Sequence, residues 1–147
     1  MHSNKTEIIF EIANSHNGNF KLFKETVKQF TKINYKNKSI KFQIFKYDKI
    51  SCKNFSWYKV YKKLFFSKSQ WDKILNFFIK KKIKIYLDIY DEYGIFFLQK
   101  YKKNIRGIKI QYSSLNNYKI TNYLKNNCDK HLEIIINITT LSLTDIK

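Results

Sequence analysis

Five short apolar stretches of this chain each carry charged or amide side chains within them or where they give out. Glu11 follows Ile8-Ile9-Phe10. Lys41 and Gln43 interrupt Ile40 to Phe45, and Asp88 lies near the end of Lys84 to Ile89. Lys109 and Gln111 stand in Gly107 to Tyr112, and Asn137 comes near the end of Leu132 to Ile138. A polar group in such a run must find a partner, because burying it bare costs several kcal/mol or shifts its pKa. Lys41 and Lys109 are ammonium groups on strands that read as central, and each calls for an anion. Opposite charges about 4 Å apart are worth roughly 4 kcal/mol at an effective dielectric near 20. The set suits a small ligand with phosphate or carboxylate groups at the two lysines, leaving Glu11 and Asp88 to hold hydroxyls or an ammonium. The bland alternative is that each of these residues snorkels to solvent or lies on a sheet edge.

Bringing such residues together requires strands that all end at one place. The first is Ile8 to Ala13, a near-continuous apolar run of the kind expected for a parallel strand covered on both faces, interrupted by Glu11. The other reading of the same residues is a half-buried strand with Glu11 at its wet end. Ser15-His16-Asn17-Gly18-Asn19 is a polar turn in which Asn-Gly tolerates positive φ and Asn19 can cap a helix. His16 is read as part of that turn. Phe20, Phe23, Val27 and Phe30 then recur at spacings of three and four, an amphipathic helix with lysines outside. Ile40 to Phe45 is a second strand, with Lys41 and Gln43 on one side by period two. The stretch from Lys46 to Tyr61 has no clear period, and its Phe55, Trp57, Tyr58 and Tyr61 could form a lid or a satellite cluster.

Ser67-Lys68-Ser69-Gln70 is a capping box opening a helix with Trp71, Ile74, Leu75 and Phe78 inward and Lys80 to Lys82 at its end. A third strand, Lys84 to Ile89, precedes a short helix within Tyr90 to Tyr101. Gly107 to Tyr112 is the fourth strand. Ser113, Ser114, Asn116 and Asn117 offer caps for a helix using Ile120, Tyr123 and Leu124. Leu132 to Ile138 is the fifth strand, and Ser142 to Asp145 reads as the start of another helix. Five strands alternating with helical patterns, without hairpin signals, predict an α/β fold with a parallel sheet and right-handed crossovers. In such sheets chemistry gathers at the C-terminal strand ends.

Composition narrows the function classes. With 44% apolar and 18% aromatic residues the chain is expected to fold. The formal charge of +18 points toward nucleic acid or an anionic surface. However, only Arg106 among 29 basic residues is arginine, and scattered lysines lack the bidentate forks that phosphate and base recognition favour, so a nucleic-acid role is not expected. No apolar run reaches the roughly 18 residues of a membrane span, no leader pattern opens the chain, and a cytoplasmic location is expected. Cys52 and Cys128 form no CxxC pattern and read as free thiols, while His2 and His131 read as surface residues.

The run Glu11-Ile12-Ala13-Asn14-Ser15-His16-Asn17-Gly18-Asn19, followed by Lys41-Phe42-Gln43 and by Ile108-Lys109-Ile110 with Ser113 and Asn116-Asn117, resembles the N-acetylneuraminate (sialic acid) synthase family. The first run is fairly specific and Lys-Phe-Gln much less so; the resemblance extends over essentially the whole chain. It implies a (β/α)₈ TIM-type barrel of which residues 1–147 are the N-terminal portion, about five strands. The later strands and a C-terminal antifreeze-like domain would be missing, since a closed barrel needs about 250 residues. It further implies condensation of phosphoenolpyruvate with an N-acetylated hexosamine, typically N-acetylmannosamine, to a nonulosonic acid and phosphate. A divalent metal, manganese or magnesium, would polarise the sugar aldehyde, with ligands expected outside this chain. By position Glu11 would be the catalytic contact to the hexosamine and Lys41 and Lys109 would hold the phosphoenolpyruvate anion. Gln43, Asp88, Ser113 and Asn137 would complete the substrate site.

Three positions depart from the family pattern. Leu87-Asp88-Ile89-Tyr90 stands where the family usually has Ser-Thr-Pro-Phe, placing a carboxylate where an anion is expected. Tyr112 stands where a serine is usual, and Asn137-Ile138-Thr139 replaces Ser-Thr-Gly. These changes imply either a branch acting on a related acidic sugar or a copy without activity. The incomplete barrel leaves open sheet edges, so a complementing C-terminal fragment or a homo-oligomer is expected as partner. Taken alone, the chain is expected not to turn over; the alternatives are a non-catalytic remnant and a basic module binding anions or nucleic acid.

Overall fold

The computed structural model describes residues 6–128, 130–139, 142 and 144. The expected helix start over 142–145, and His2, lie wholly or partly outside them. Five strands, β1 (Ile8–Glu11), β2 (Lys38–Ile44), β3 (Lys84–Ile89), β4 (Ile105–Ile110) and β5 (Glu133–Ile136), are all parallel. They are ordered in the sheet as in the sequence. Strict sequence order means that each crossover passes over the same face, so the sheet curls into a half-barrel with helices outside. The helices are α1 (Phe20–Lys32), α2 (Tyr47–Ile50), α3 (Tyr58–Leu64), α4 (Lys68–Lys80), α5 (Glu92–Lys100) and α6 (Tyr118–Asn127). Among the described residues no helix is long and apolar enough to cross a membrane.

Period two divides each strand between two environments. Ile40, Phe42 and Ile44 of β2, Ile85, Leu87 and Ile89 of β3, and Ile105, Ile108 and Ile110 of β4 belong to one core with the inward stripes of the helices. Phe23, Val27 and Phe30 of α1 and Trp71, Ile74, Leu75 and Phe78 of α4 are those stripes, as their spacing predicts. Local chemistry sets the helix starts. Asn19 Oδ1 accepts from the backbone N–H of Lys21 and Leu22, and Ser67 with Gln70 forms the capping box. Asp91 caps α5, and Asn117 caps α6.

The structure alters several expectations. β1 is an edge strand and is not covered on both faces: Ile8 is 40% and Ile9 36% exposed, and Glu11 lies at its wet end. The stretch without a period holds α2 and α3, with Phe55 and Trp57 exposed. Gln111 and Asn137 lie just past the ends of β4 and β5 rather than within them. Gly107 allows a close crossing, because a Cβ there would stand 2.5 Å from the Tyr86 ring. That ring crosses β4 so that its hydroxyl donates to Glu133 of β5, which also pairs with Arg106.

Candidate functional site

The face of the sheet turned away from the helices carries the polar side chains. The register pairs Glu11 with Lys41, Gln43 with Asp88, and Asp88 with Lys109, so these five occupy adjacent places on four neighbouring strands. Lys41 Nζ lies 3.1 Å from Glu11 Oε2, and Gln43 Nε2 lies 3.5 Å from Glu11 Oε1. Asp88 Oδ2 is 3.6 Å from Lys109 Nζ, accepts from Gln111 Nε2 at 2.8 Å and accepts from the Tyr90 hydroxyl at 3.4 Å. Asn137 Nδ2 donates to Gln111 Oε1 at 2.8 Å and so ties the end of β5 to the same chain of contacts. Five of the seven expected site residues thus share one face; Asn137, past the end of β5, joins them through Gln111, and Ser113 lies in the 3₁₀ turn Tyr112–Ser114 after β4.

The lysines that read as waiting for an anion already have one each. Glu11 and Lys41 retain solvent contact, which limits their attraction to about 1 kcal/mol. Asp88 is different, since its side chain has no exposure and Oδ1 has no hydrogen-bond partner. Burial pushes its carboxyl above the usual range, with Lys109 and Gln111 pulling in the opposite direction. The neighbouring Tyr90 hydroxyl is also pushed up by burial and by the Asp88 charge. The row is therefore two internal ion pairs, with Gln43 on Glu11 and Gln111 on Asp88, and it has no net formal charge.

Above the row, at the C-terminal strand ends, lies an open cleft of about 430 Å³. Asn14, Gln43, Tyr61, Tyr90, Ser113 and Asn117 are among its walls, and Lys49 is its charged member. Asn14 Oδ1 is buried without a partner. Gln43 and Tyr90 belong to both the row and the cleft and so connect them. A separate cavity of about 250 Å³, lined in part by Leu98, Tyr123, Leu124, Cys128 and His131, contains none of the expected site residues.

His16 is structural. Its ring centroid lies 4.4 Å from that of Phe66 and 5.1 Å from that of Phe23, and its Nδ1 accepts from Gly18 N at 3.0 Å. Burial lowers its pKa from 6.5 to about 4. A base depressed in the folded state stabilises fully above its unfolded pKa and loses that contribution as pH falls through the folded value. The loss here is about 3 kcal/mol between pH 6.5 and 4. Chemical denaturation across that range is expected to show the slope in the natural chain and a flatter profile in His16→Gln. Equal slopes would mean that other groups drive acid unfolding.

The described residues do not fit a divalent metal. No group of three His, Cys, Asp or Glu side chains converges among them. The His16 Nδ1 is taken by Gly18, while Glu11 and Asp88 each face an ammonium that would repel a cation. Asn14, Lys49, Tyr61 and Tyr90 line the cleft without having been expected as site residues. Tyr90 follows Asp88 by two and was legible by continuing the strand period, whereas nothing in the sequence placed Tyr61 at the cleft. No family model, curated protein or solved structure matches this chain.

Proposed function

We propose that the chain is a portion of a sialic acid synthase-like barrel. Its row and cleft take phosphoenolpyruvate and an N-acetylated hexosamine such as N-acetylmannosamine, for condensation to a nonulosonic acid and phosphate. What supports the reading is the convergence of Glu11, Lys41, Gln43, Asp88 and Lys109 on one face beneath a cleft walled by amides and hydroxyls. In this role Lys41 and Lys109 hold the anionic groups of the enol phosphate, and Glu11 and Gln43 contact the sugar. Asn14 Oδ1, buried and unpartnered, accepts a sugar hydroxyl. No step is assigned to a metal, because the described donors do not fit one.

A second reading, a sugar-binding remnant without chemistry, is favoured by one observation: both lysines are already neutralised by carboxylates. Thermal melting separates the two. On the first reading phosphoenolpyruvate and N-acetylmannosamine each raise the melting temperature of the natural chain, Lys41→Ala abolishes the first shift, and no phosphate is released by the chain alone. Protection by the sugar only selects the remnant. If neither compound shifts the melt, both readings fall.

A further inference from the structure

The carboxylate of Asp88 is the anion that pairs with the Lys109 ammonium. Its Oδ2 takes the Lys109 ammonium at 3.6 Å, the Gln111 amide at 2.8 Å and the Tyr90 hydroxyl at 3.4 Å, so three donors converge on a single oxygen. Its Oδ1 is buried and bare. A carboxylate held this unevenly has one oxygen fully served and another free to carry a proton. The charged and titratable groups facing it are Glu11 from β1, Lys41 from β2, Tyr90 just after β3 and Lys109 from β4. Glu11 and Lys41 cancel one another. The remaining balance rests on Asp88 and Lys109 alone.

We propose that Asp88 is a proton-coupled gate on the Lys109 anion site: an anion binds there as Asp88 takes up a proton from solvent and surrenders Lys109 to the ligand. This rests on the reading of Lys109 as an anion contact made above. The step balances, because one O–H bond forms at Asp88 Oδ1, one negative charge is removed from the row, and the ligand supplies a negative charge in its place. Without the proton, ligand and carboxylate would compete for one ammonium in a poorly solvated place, and like charges there repel strongly. The raised pKa of the Asp88 carboxyl, caused by burial, acts in the same direction by making the proton easier to accept. Asp88 is in this sense a specificity-determining residue, admitting anions in acid and excluding them in base.

Inorganic sulfate is the probe, since it keeps its charge from pH 5 to 8. Calorimetric titration in two buffers of different ionisation enthalpy is expected to show uptake of about one proton per sulfate by the natural chain where Asp88 is ionised, with affinity falling about tenfold per pH unit there. Asp88→Asn keeps the shape and an acceptor for Gln111. It is expected to bind sulfate at least about tenfold more tightly at pH 8, without proton uptake or pH dependence. Asp88→Ser serves as the second variant should the first fold poorly. Sulfate bound by exposed lysines takes up no proton and does not imitate this signature. Tight binding by the natural chain without proton uptake, or an Asp88→Asn affinity no greater than the natural one, overturns the gate while leaving the anion site. Absence of sulfate binding by every variant from pH 5 to 8 overturns the gate and the anion reading together.

Discussion

Lys109→Met is expected to cost the fold about 3–5 kcal/mol at neutral pH, because it leaves Asp88 buried without its cation. The methionine retains most of the apolar stem, so the loss is mainly electrostatic. The sign can be checked with pH. Burial already raises the Asp88 carboxyl, and Lys109 is the largest influence holding it down. Removing that ammonium raises it further. An acid whose folded pKa lies above its unfolded value contributes stability that is complete below the unfolded value and lost as pH rises through the folded one. The deficit of Lys109→Met relative to the natural chain is therefore expected to be small near pH 4 and full at pH 7, measured by urea unfolding at both. Adding Asp88→Asn should restore most of the neutral-pH loss in a double-mutant cycle. A deficit of equal size at both pH values would mean that packing of the lysine stem, rather than an unpaired carboxylate, carries the effect.

Gly18→Ala is expected to destabilise by about 3 kcal/mol, for two reasons that add. Gly18 has a φ of +75°, where a Cβ costs about 1–2 kcal/mol. That Cβ would also stand 2.1 Å from the Lys63 carbonyl oxygen at the end of α3, a backbone atom that cannot swing aside, and overpacking of this kind costs about 1–3 kcal/mol. Relief requires α3 to move, and α3 carries Tyr61 into the wall of the cleft. Asn17→Gly is the control, since Asn17 has a φ of +49° in the same turn, and it is expected to change stability by less than about 1 kcal/mol. Thermal unfolding of the two variants decides the matter. Comparable losses would mean that any change in this turn carries the effect, whereas a loss confined to Gly18→Ala is the result that the positive φ and the contact with α3 at Gly18 predict.

The five strands and four of the six helices were legible because their apolar spacing and caps are local properties. Phe23, Val27 and Phe30 face the core as a spacing of three and four demands, and Lys84–Ile89 is the third strand at both its ends. The common face of Lys41 and Gln43 followed from period two within one strand. Its alignment with Glu11, Asp88 and Lys109 depended on register between strands. The short α2 and α3 had no apolar period long enough to read, and their place beside the cleft comes from contacts between distant residues.

By itself the sequence determined which residues form strands and helices and which polar side chains interrupt them, because backbone preference, capping and hydrophobic period act over a few residues. Only the tertiary structure decided that the two lysines are already neutralised, that Asp88 is buried with one oxygen bare, and that Gly18 is pressed against α3. Those outcomes depend on distances between side chains far apart in the chain, and Coulomb attraction, desolvation and steric contact act through those distances rather than through sequence spacing.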